Sequence, residues 1–419
     1  NVATSTWLPM NKFNLNEGFT FQGTSVETQQ GPLGFSAGIA SRSDLFERLF
    51  VRFDENGDVI EDDNPEGNIF ELNLDTLTNS NNVFTNNEIN GFGYGIVTLG
   101  MGVLYDAGKA EYKEYYNKGN VIENNLITDV ARAGIYAGFE DGLSIKNNVI
   151  QGVSGESNDF SGQFAGNAAG IILGGDSYGQ FLTFNNLNVD LTGNIVSDVT
   201  GSESVKGIVV EQVENQYADP NGGSFHYPAE SNINITSNAV WNINASNAAT
   251  HRVGIHVFTE RKRNISDFMT QMVTPKFATF SIQDMLVANN TVIIEDDAMV
   301  NNGVTVGVGL QQTNNAVLKN NAIAISDANV GGEVSALVFL QGSMPNEGSV
   351  ASDYNAYYRG SSDVDVYRYV QSYSLFNDYN NTEETVITHE GFEGEYSDLV
   401  QWQMWTGPDF NSVIGTDFT

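Results

Sequence analysis

Apolar and polar positions in this chain recur as a short phrase: two Asn or close substitutes, one variable residue, then an aliphatic. The phrase reads Asn86-Asn87-Glu88-Ile89, Asn124-Asn125-Leu126-Ile127, Asn147-Asn148-Val149-Ile150, Gly193-Asn194-Ile195-Val196, Ser237-Asn238-Ala239-Val240, Asn289-Asn290-Thr291-Val292 and Asn320-Asn321-Ala322-Ile323. A second phrase alternates with it, Gly followed by an apolar run, at Gly95-Ile96, Gly134-Ile135, Gly170-Ile171, Gly207-Ile208, Gly254-Ile255 and Gly307-Val308. Such self-similarity predicts a repeat architecture, in which one short unit is stacked many times. The interval is shortest from Asn125 to Asn148 and longest from Asn238 to Asn290, so the same coil recurs with loops of different length spliced into it.

The residue types say which coil. In a parallel β-helix short strands lie on those of the coil before, about 4.8 Å away. The corners between strands need residues that accept left-handed backbone angles, and Asn and Gly do so at least cost. An inward Asn at the same corner of every coil can bond the Asn above, the Asn below and the corner backbone. The expected stack is Asn87, Asn125, Asn148, Asn194, Asn238, Asn290 and Asn321. The aliphatic two places on (Ile89, Ile127, Ile150, Val196, Val240, Val292, Ile323) then points into the core. The predicted fold is all-β, a parallel β-helix over 81–360. Residues 1–80, the least repetitive, are expected to form an N-terminal cap and first coils, and 361–419 a C-terminal coil and cap. Residues 43–50 read as a short amphipathic helix or a hairpin strand within that first cap.

Composition narrows the class. There are 43 Gly, 8 Pro and no Cys, so disulfides contribute nothing, and no apolar stretch is long enough to span a bilayer. The chain begins at Asn1 and shows no signal peptide, which reads as a processed or excised segment. A formal charge of −34, from 52 acids against 18 bases, repels nucleic acid and anionic membrane and keeps a protein soluble in salt. It also attracts divalent cations, so Ca²⁺ is the cofactor to expect if there is one. The segment around Asp54 and Asp58 looks like a calcium loop but fails the EF-hand pattern. Gly57 falls too early, and Pro65 stands where the bidentate Glu belongs. Asp176 and Glu214 are the other cation candidates.

Two clusters carry candidate chemistry. Counting six residues on from the Gly of successive phrases gives Glu140, Asp176, Val213 and Glu260, with Glu211 and Glu214 beside the gap. Carboxylates on neighbouring coils would lie about 5 Å apart, and on alternate coils about 10 Å, which brackets the roughly 5–9.5 Å used by glycosidase pairs. The same column would suit Ca²⁺, or be a plain solvated acidic face. The second cluster is basic: Arg252, Arg261, Lys262, Arg263 and Lys276, with His251 and His256. A base of this kind takes the proton α to a uronate while a cation neutralises the carboxylate, with His256 and Arg261 the residues to test first. A salt-bridging insertion accounts for the same residues without chemistry. No nucleotide loop, Ser-His-Asp order or Cys/His metal spacing appears.

The alternating Gly-Ile and Asn-Asn-x-Ile phrases resemble the right-handed parallel β-helix repeat proteins of secreted bacteria, a pectate-lyase-like group that includes many surface proteins. The likeness covers roughly residues 80–360. At the C-terminal end Asp353-Tyr354-Asn355-Ala356-Tyr357-Tyr358, then Trp402 and Trp405, then Thr406-Gly407-Pro408-Asp409-Phe410-Asn411-Ser412, resemble the closing coil of large exported β-helices. The resemblance implies a single-stranded right-handed coil strongly and an activity weakly, because the fold hosts both enzymes and inert scaffolds. Three functions follow as expectations. The first is a non-catalytic extracellular or cell-surface scaffold or adhesive module, alone or within a larger surface protein or filament. The second is a polysaccharide hydrolase or lyase. The third is a carbohydrate-binding β-helix that stacks Tyr and Trp on sugar rings. The expected partners are extracellular polysaccharide or other surface subunits, with neither nucleic acid nor membrane insertion.

Overall fold

The computed structural model describes residues 2–4, 20–21, 24–25, 37–42, 78–100, 102–106, 111–155, 166–174, 186–213, 215–218, 224–227, 230–247, 250–260, 282–295, 303–311, 313–326, 334–341, 350–361, 363–370, 394–396, 398–406 and 409–415. Residues 43–50, read above as a helix or hairpin strand, lie outside them.

Three sheets carry the rod: sheet A with eight strands, and sheets B and C with ten each. One coil shows the order. Val121–Glu123 lies in sheet A, Leu126–Val130 in sheet B and Ala133–Gly138 in sheet C, and the chain returns to sheet A at Ser144–Lys146. Each strand pairs in parallel with its counterpart one coil on, in registers such as Val121 with Ser144, Leu126 with Val149 and Ala133 with Ala169. The chain is an all-β, right-handed parallel β-helix. Segments from residues 1–80 join the rod: Val2–Thr4 extends sheet B beside Glu88–Asn90, and Ala37–Arg42 extends sheet C beside Tyr94–Leu99.

The corner between sheets A and B is two residues long in every coil, and its chemistry is uniform. Its first residue is left-handed, with φ of 55° at Asn86, 54° at Asn124, 53° at Asn147, 70° at Gly193, 57° at Ser237, 57° at Asn289, 55° at Asn320 and 59° at Tyr354. Its second residue is the inward Asn. Asn148 is typical: its Oδ1 accepts from the backbone N–H of Asn125 at 3.0 Å and from Asn125 Nδ2 at 2.8 Å, while its Nδ2 donates to Asn194 Oδ1 at 2.9 Å and to Ile122 O at 3.0 Å. The same bonds run from Asn87 through Asn125, Asn148, Asn194, Asn238, Asn290 and Asn321. They continue to Asn355, a rung outside the seven expected ones. Ser412 Oγ closes the series by accepting from the Asn355 N–H at 2.7 Å.

Inside the corner, Ile89, Ile127, Ile150, Val196, Val240, Val292 and Ile323 form one buried column. Each such side chain contributes about 1.5–3 kcal/mol by leaving water. The Gly of the second phrase faces this column across the core. A Cβ on Gly134 would sit 2.4 Å from Ile150 Cγ2 and 2.8 Å from Gly170 O, so the recurring Gly is required by packing.

Length variation concentrates between sheets C and A. That connection is Gln312 alone in one coil and residues 261–281 in another. Two of the connections carry antiparallel hairpins, Gly102–Asp106 with Glu111–Tyr115 and Asn215–Ala218 with Ser224–Tyr227. The C-terminal end is closed by the helix Leu399–Thr406. Its Trp402 is 1% exposed and stacks on Tyr367 with centroids 4.0 Å apart. The buried Asp409 carboxyl binds this cap to the last coil. It accepts from Ser352 Oγ at 2.9 Å, Ser412 Oγ at 2.6 Å, Trp402 Nε1 at 3.2 Å, Asn355 Nδ2 at 3.2 Å and the Tyr367 hydroxyl.

Candidate functional site

The outer face of sheet C lies between the variable connections, and most of the described candidate chemistry collects there. On this face one column runs Val97, Tyr136, Ile172, Val209, His256, Gly309 and Phe339, and the next runs Leu99, Gly138, Gly174, Glu211, Phe258 and Gln311. The face is apolar along much of its length, with Tyr94, Tyr136, Ile172 and Phe339 all buried. Polar groups concentrate on three adjacent strands: Lys206 and Glu211 on Ser204–Val213, His256 on His251–Glu260, and Gln311 on Val304–Gln311.

These groups are sealed against the rod. His256 is fully buried, its ring stacks on Phe258 at 4.3 Å and 17°, and its Nε2 meets Gln311 Oε1 at 2.7 Å. That carbonyl only accepts, so the ring proton sits on Nε2. Burial holds the imidazole well below its usual titration range, with the Lys206 and His251 charges acting in the same direction and the Gln311 bond opposing them. His256 is therefore neutral at pH 7. Lys206 extends across the same aromatic, its Nζ 4.8 Å from the Phe258 centroid. Glu211 is 2% exposed, and its register neighbours are Gly174 on one side and Phe258 on the other.

The expected column of carboxylates does not form among the described residues. Glu140 leaves sheet C and pairs with Asn117 at a different corner. There it is fully buried, with Oε1 accepting from Asn117 Nδ2 at 2.8 Å and Oε2 from Asn120 Nδ2 at 2.9 Å. Its own N–H donates to Asn186 Oδ1 at 3.1 Å, so Asn117, Glu140 and Asn186 form a second, shorter ladder. Burial raises the Glu140 carboxyl from 4.5 to about 7, against the lowering effect of the two amide bonds. The constant offset from Gly misled because the connection after sheet C varies in length. Equal spacing in sequence gives an equal rung only where the strands remain paired. A sequence signal for this second ladder exists in Asn79-Ser80-Asn81-Asn82 and Asn117-Lys118-Gly119-Asn120, whose Asn side chains align coil on coil.

Of the basic cluster, Arg261, Lys262, Arg263 and Lys276 lie outside the described residues. Arg252 is buried, donating from one guanidinium nitrogen to Glu295 O and from the other to Thr305 Oγ1, both at 3.0 Å. Glu260 ends its strand opposite Val213, and its side chain lies outside the described residues. Asp54, Asp58, Asp176, Glu214 and Arg261 lie outside them as well. Among the described residues no three His, Asp or Glu groups gather in a way that would hold a metal ion. No helix among them is long and apolar enough to cross a membrane.

No protein-family model matches the chain, and no curated protein matches it in sequence. Among solved structures it is similar to a mutant tailspike protein of E. coli bacteriophage HK620 in complex with a pentasaccharide, at a TM-score of 0.39 and 11% identity. The match covers 68% of this chain and 41% of that one, so the chain spans less than half the length of the tailspike it matches.

Proposed function

We propose that the chain is a non-catalytic β-helix module of the cell exterior, a rigid rod that serves adhesion or surface display. The observation that carries this reading is the state of the described acids and bases. Glu140 is consumed by a ladder, His256 is neutral and bonded to Gln311, and Glu211 is buried. A general acid–base pair needs two titratable groups that converge on a space open to substrate. The rod supports display in another way, since its variable connections emerge repeatedly at the corner between sheets C and A. The strongly acidic composition suits an extracellular, salt-rich setting.

A polysaccharide hydrolase or lyase is the second reading, favoured by Lys206, Glu211 and His256 standing on adjacent strands of one face. The two are separated by incubating the protein with neutral and uronic polysaccharides, in Ca²⁺ and in chelator, and assaying reducing ends and unsaturated uronates. The display reading expects no product above background. Product that disappears in a Glu211→Gln, His256→Gln double variant would overturn it.

A further inference from the structure

The outer face of sheet B differs from the rest of this acidic protein. Its first outward column runs Leu126, Val149, Ile195, Ala239, Thr291, Ala322, Ala356 and Val413. Its second runs Thr128, Gln151, Ser197, Trp241, Ile293, Ala324, Tyr358 and Gly415 in the same registers. From Leu126 to Val413 neither column contains a charged residue, in a chain with 52 acids and 18 bases; one rung before Leu126 the first column reaches the exposed Glu88. At about 4.8 Å per rung the charge-free stripe is roughly 34 Å long. The first column is open to solvent, with Leu126 40% and Val413 63% exposed and Thr291 and Ala356 exposed; in the second column Trp241, Ile293 and Tyr358 are half-buried, while the small Ser197 and Ala324 between and beside them are buried.

Two further features give the stripe a direction. Trp241 and Tyr358 stand in one column three rungs apart, about 14 Å along the rod, with Ile293 and Ala324 between them. Beside the first column runs the exposed left-handed corner with Asn124, Asn147, Ser237, Asn289 and Asn320, a row of neutral polar side chains. Beyond Glu88 at one end of the first column, acids resume along the far margin at Asp129 and Asp198. Their oxygens already accept amide protons from Asn90, and from Gln151 and Asn242.

We infer that this face binds a neutral polysaccharide lying along the rod axis. Sugar rings present a C–H face that stacks on aromatic and aliphatic side chains and an equatorial rim of hydroxyls that bonds amides. The stripe offers the first along its two columns and the second along its corner. An anionic polymer would meet the field of a chain carrying −34, and neither column offers it a cation; Lys319, at the corner, lies over the Tyr354 ring. A second copy would bring two such chains face to face and is disfavoured for the same reason. The inference deepens the adhesive reading by naming what the module adheres to. Its test reads binding rather than product release, so the two fail separately.

The experiment is co-sedimentation and affinity electrophoresis with amorphous cellulose, chitin and mannan, against alginate and polygalacturonate. Wild type, Trp241→Ala, Tyr358→Ala and Thr291→Glu are compared, with melting curves alongside. Wild type should be retained by at least one neutral polymer and by neither anionic one. Loss of each ring should weaken binding about tenfold, and Thr291→Glu, which places a charge on an exposed site, should weaken it with the melting temperature unchanged. No retention on any neutral polymer, or retention unaffected by all three substitutions, overturns the inference. A wild-type dimer seen by light scattering and dissolved by Thr291→Glu would also overturn it, assigning the face to a second copy.

Discussion

Glu140 gives the protein a stability that depends on pH in an unusual direction. A carboxyl moved from 4.5 in the open chain to about 7 in the folded one costs the native state about 3 kcal/mol once it ionises, at 1.36 kcal/mol per pH unit of displacement. Between those two values the native state holds more protons than the unfolded one. Stability from this group is therefore full below about pH 4.5, falls as pH rises through 7, and is level above. With an unfolding entropy of about 2.1 cal/mol/K per residue over the 419 residues, 3 kcal/mol corresponds to roughly 3 °C in melting temperature. Glu140→Gln removes the titration. Its Nε2 would face the Asn120 Nδ2 donor that now serves Oε2, a mismatch worth about 1–3 kcal/mol that does not change with pH. His256 and every other carboxyl are present in both proteins and cancel in the difference. Melting curves of wild type and Glu140→Gln at half-unit steps from pH 4 to 8.5 should show the variant less stable at pH 4.5 and gaining on wild type by several degrees by pH 8. A constant difference across that range would show that Glu140 does not titrate there and that its burial has been misjudged.

Other substitutions probe other parts of the rod. Asn148→Leu takes away the acceptor of the buried Asn125 N–H and one of the two donors to Asn194 Oδ1, and removes the donor to Ile122 O, and should cost on the order of 1–3 kcal/mol in denaturant titrations. Gly134→Ala drives a Cβ into Ile150 and the Gly170 carbonyl and should cost about 1–3 kcal/mol. Asp409→Asn presents a donor to hydroxyls and an indole that already donate, so hydrogen exchange should rise over Leu399–Thr406 and the Asn355 rung while the Asn125 rung stays protected. Acidification below about pH 6.5 should destabilise the fold through His256, whose folded form is neutral, and a His256→Gln variant should lose that acid sensitivity.

The repeating coil was legible because its two hardest demands fall on single residue types. A left-handed corner followed by a buried polar rung needs Asn or its small substitutes, and close approach across the core needs Gly. Both leave marks at a constant offset from the aliphatic that follows, so Asn87 through Asn321 and the Ile and Val column can be read without coordinates. Asn355 keeps the same offset to a buried apolar residue, Tyr357, but Tyr354 stands where the other corners have Asn, Gly or Ser, so the two-residue phrase is missing from the sequence there. What the linear chain does not encode is which residues of different coils share a rung once the connection between sheets C and A varies in length. That is why Glu140, counted into a column with Asp176, instead stands on Asn117, and why Glu211 is flanked by Gly174 and Phe258. Burial was equally hidden, because an ionisable side chain looks the same in sequence whether water or a neighbouring strand lies beyond it. The charge-free stretch of sheet B from Leu126 to Val413 needed the tertiary register as well. Leu126, Trp241 and Tyr358 are far apart along the chain, and only the stacking of eight strands at a constant spacing brings them onto one surface.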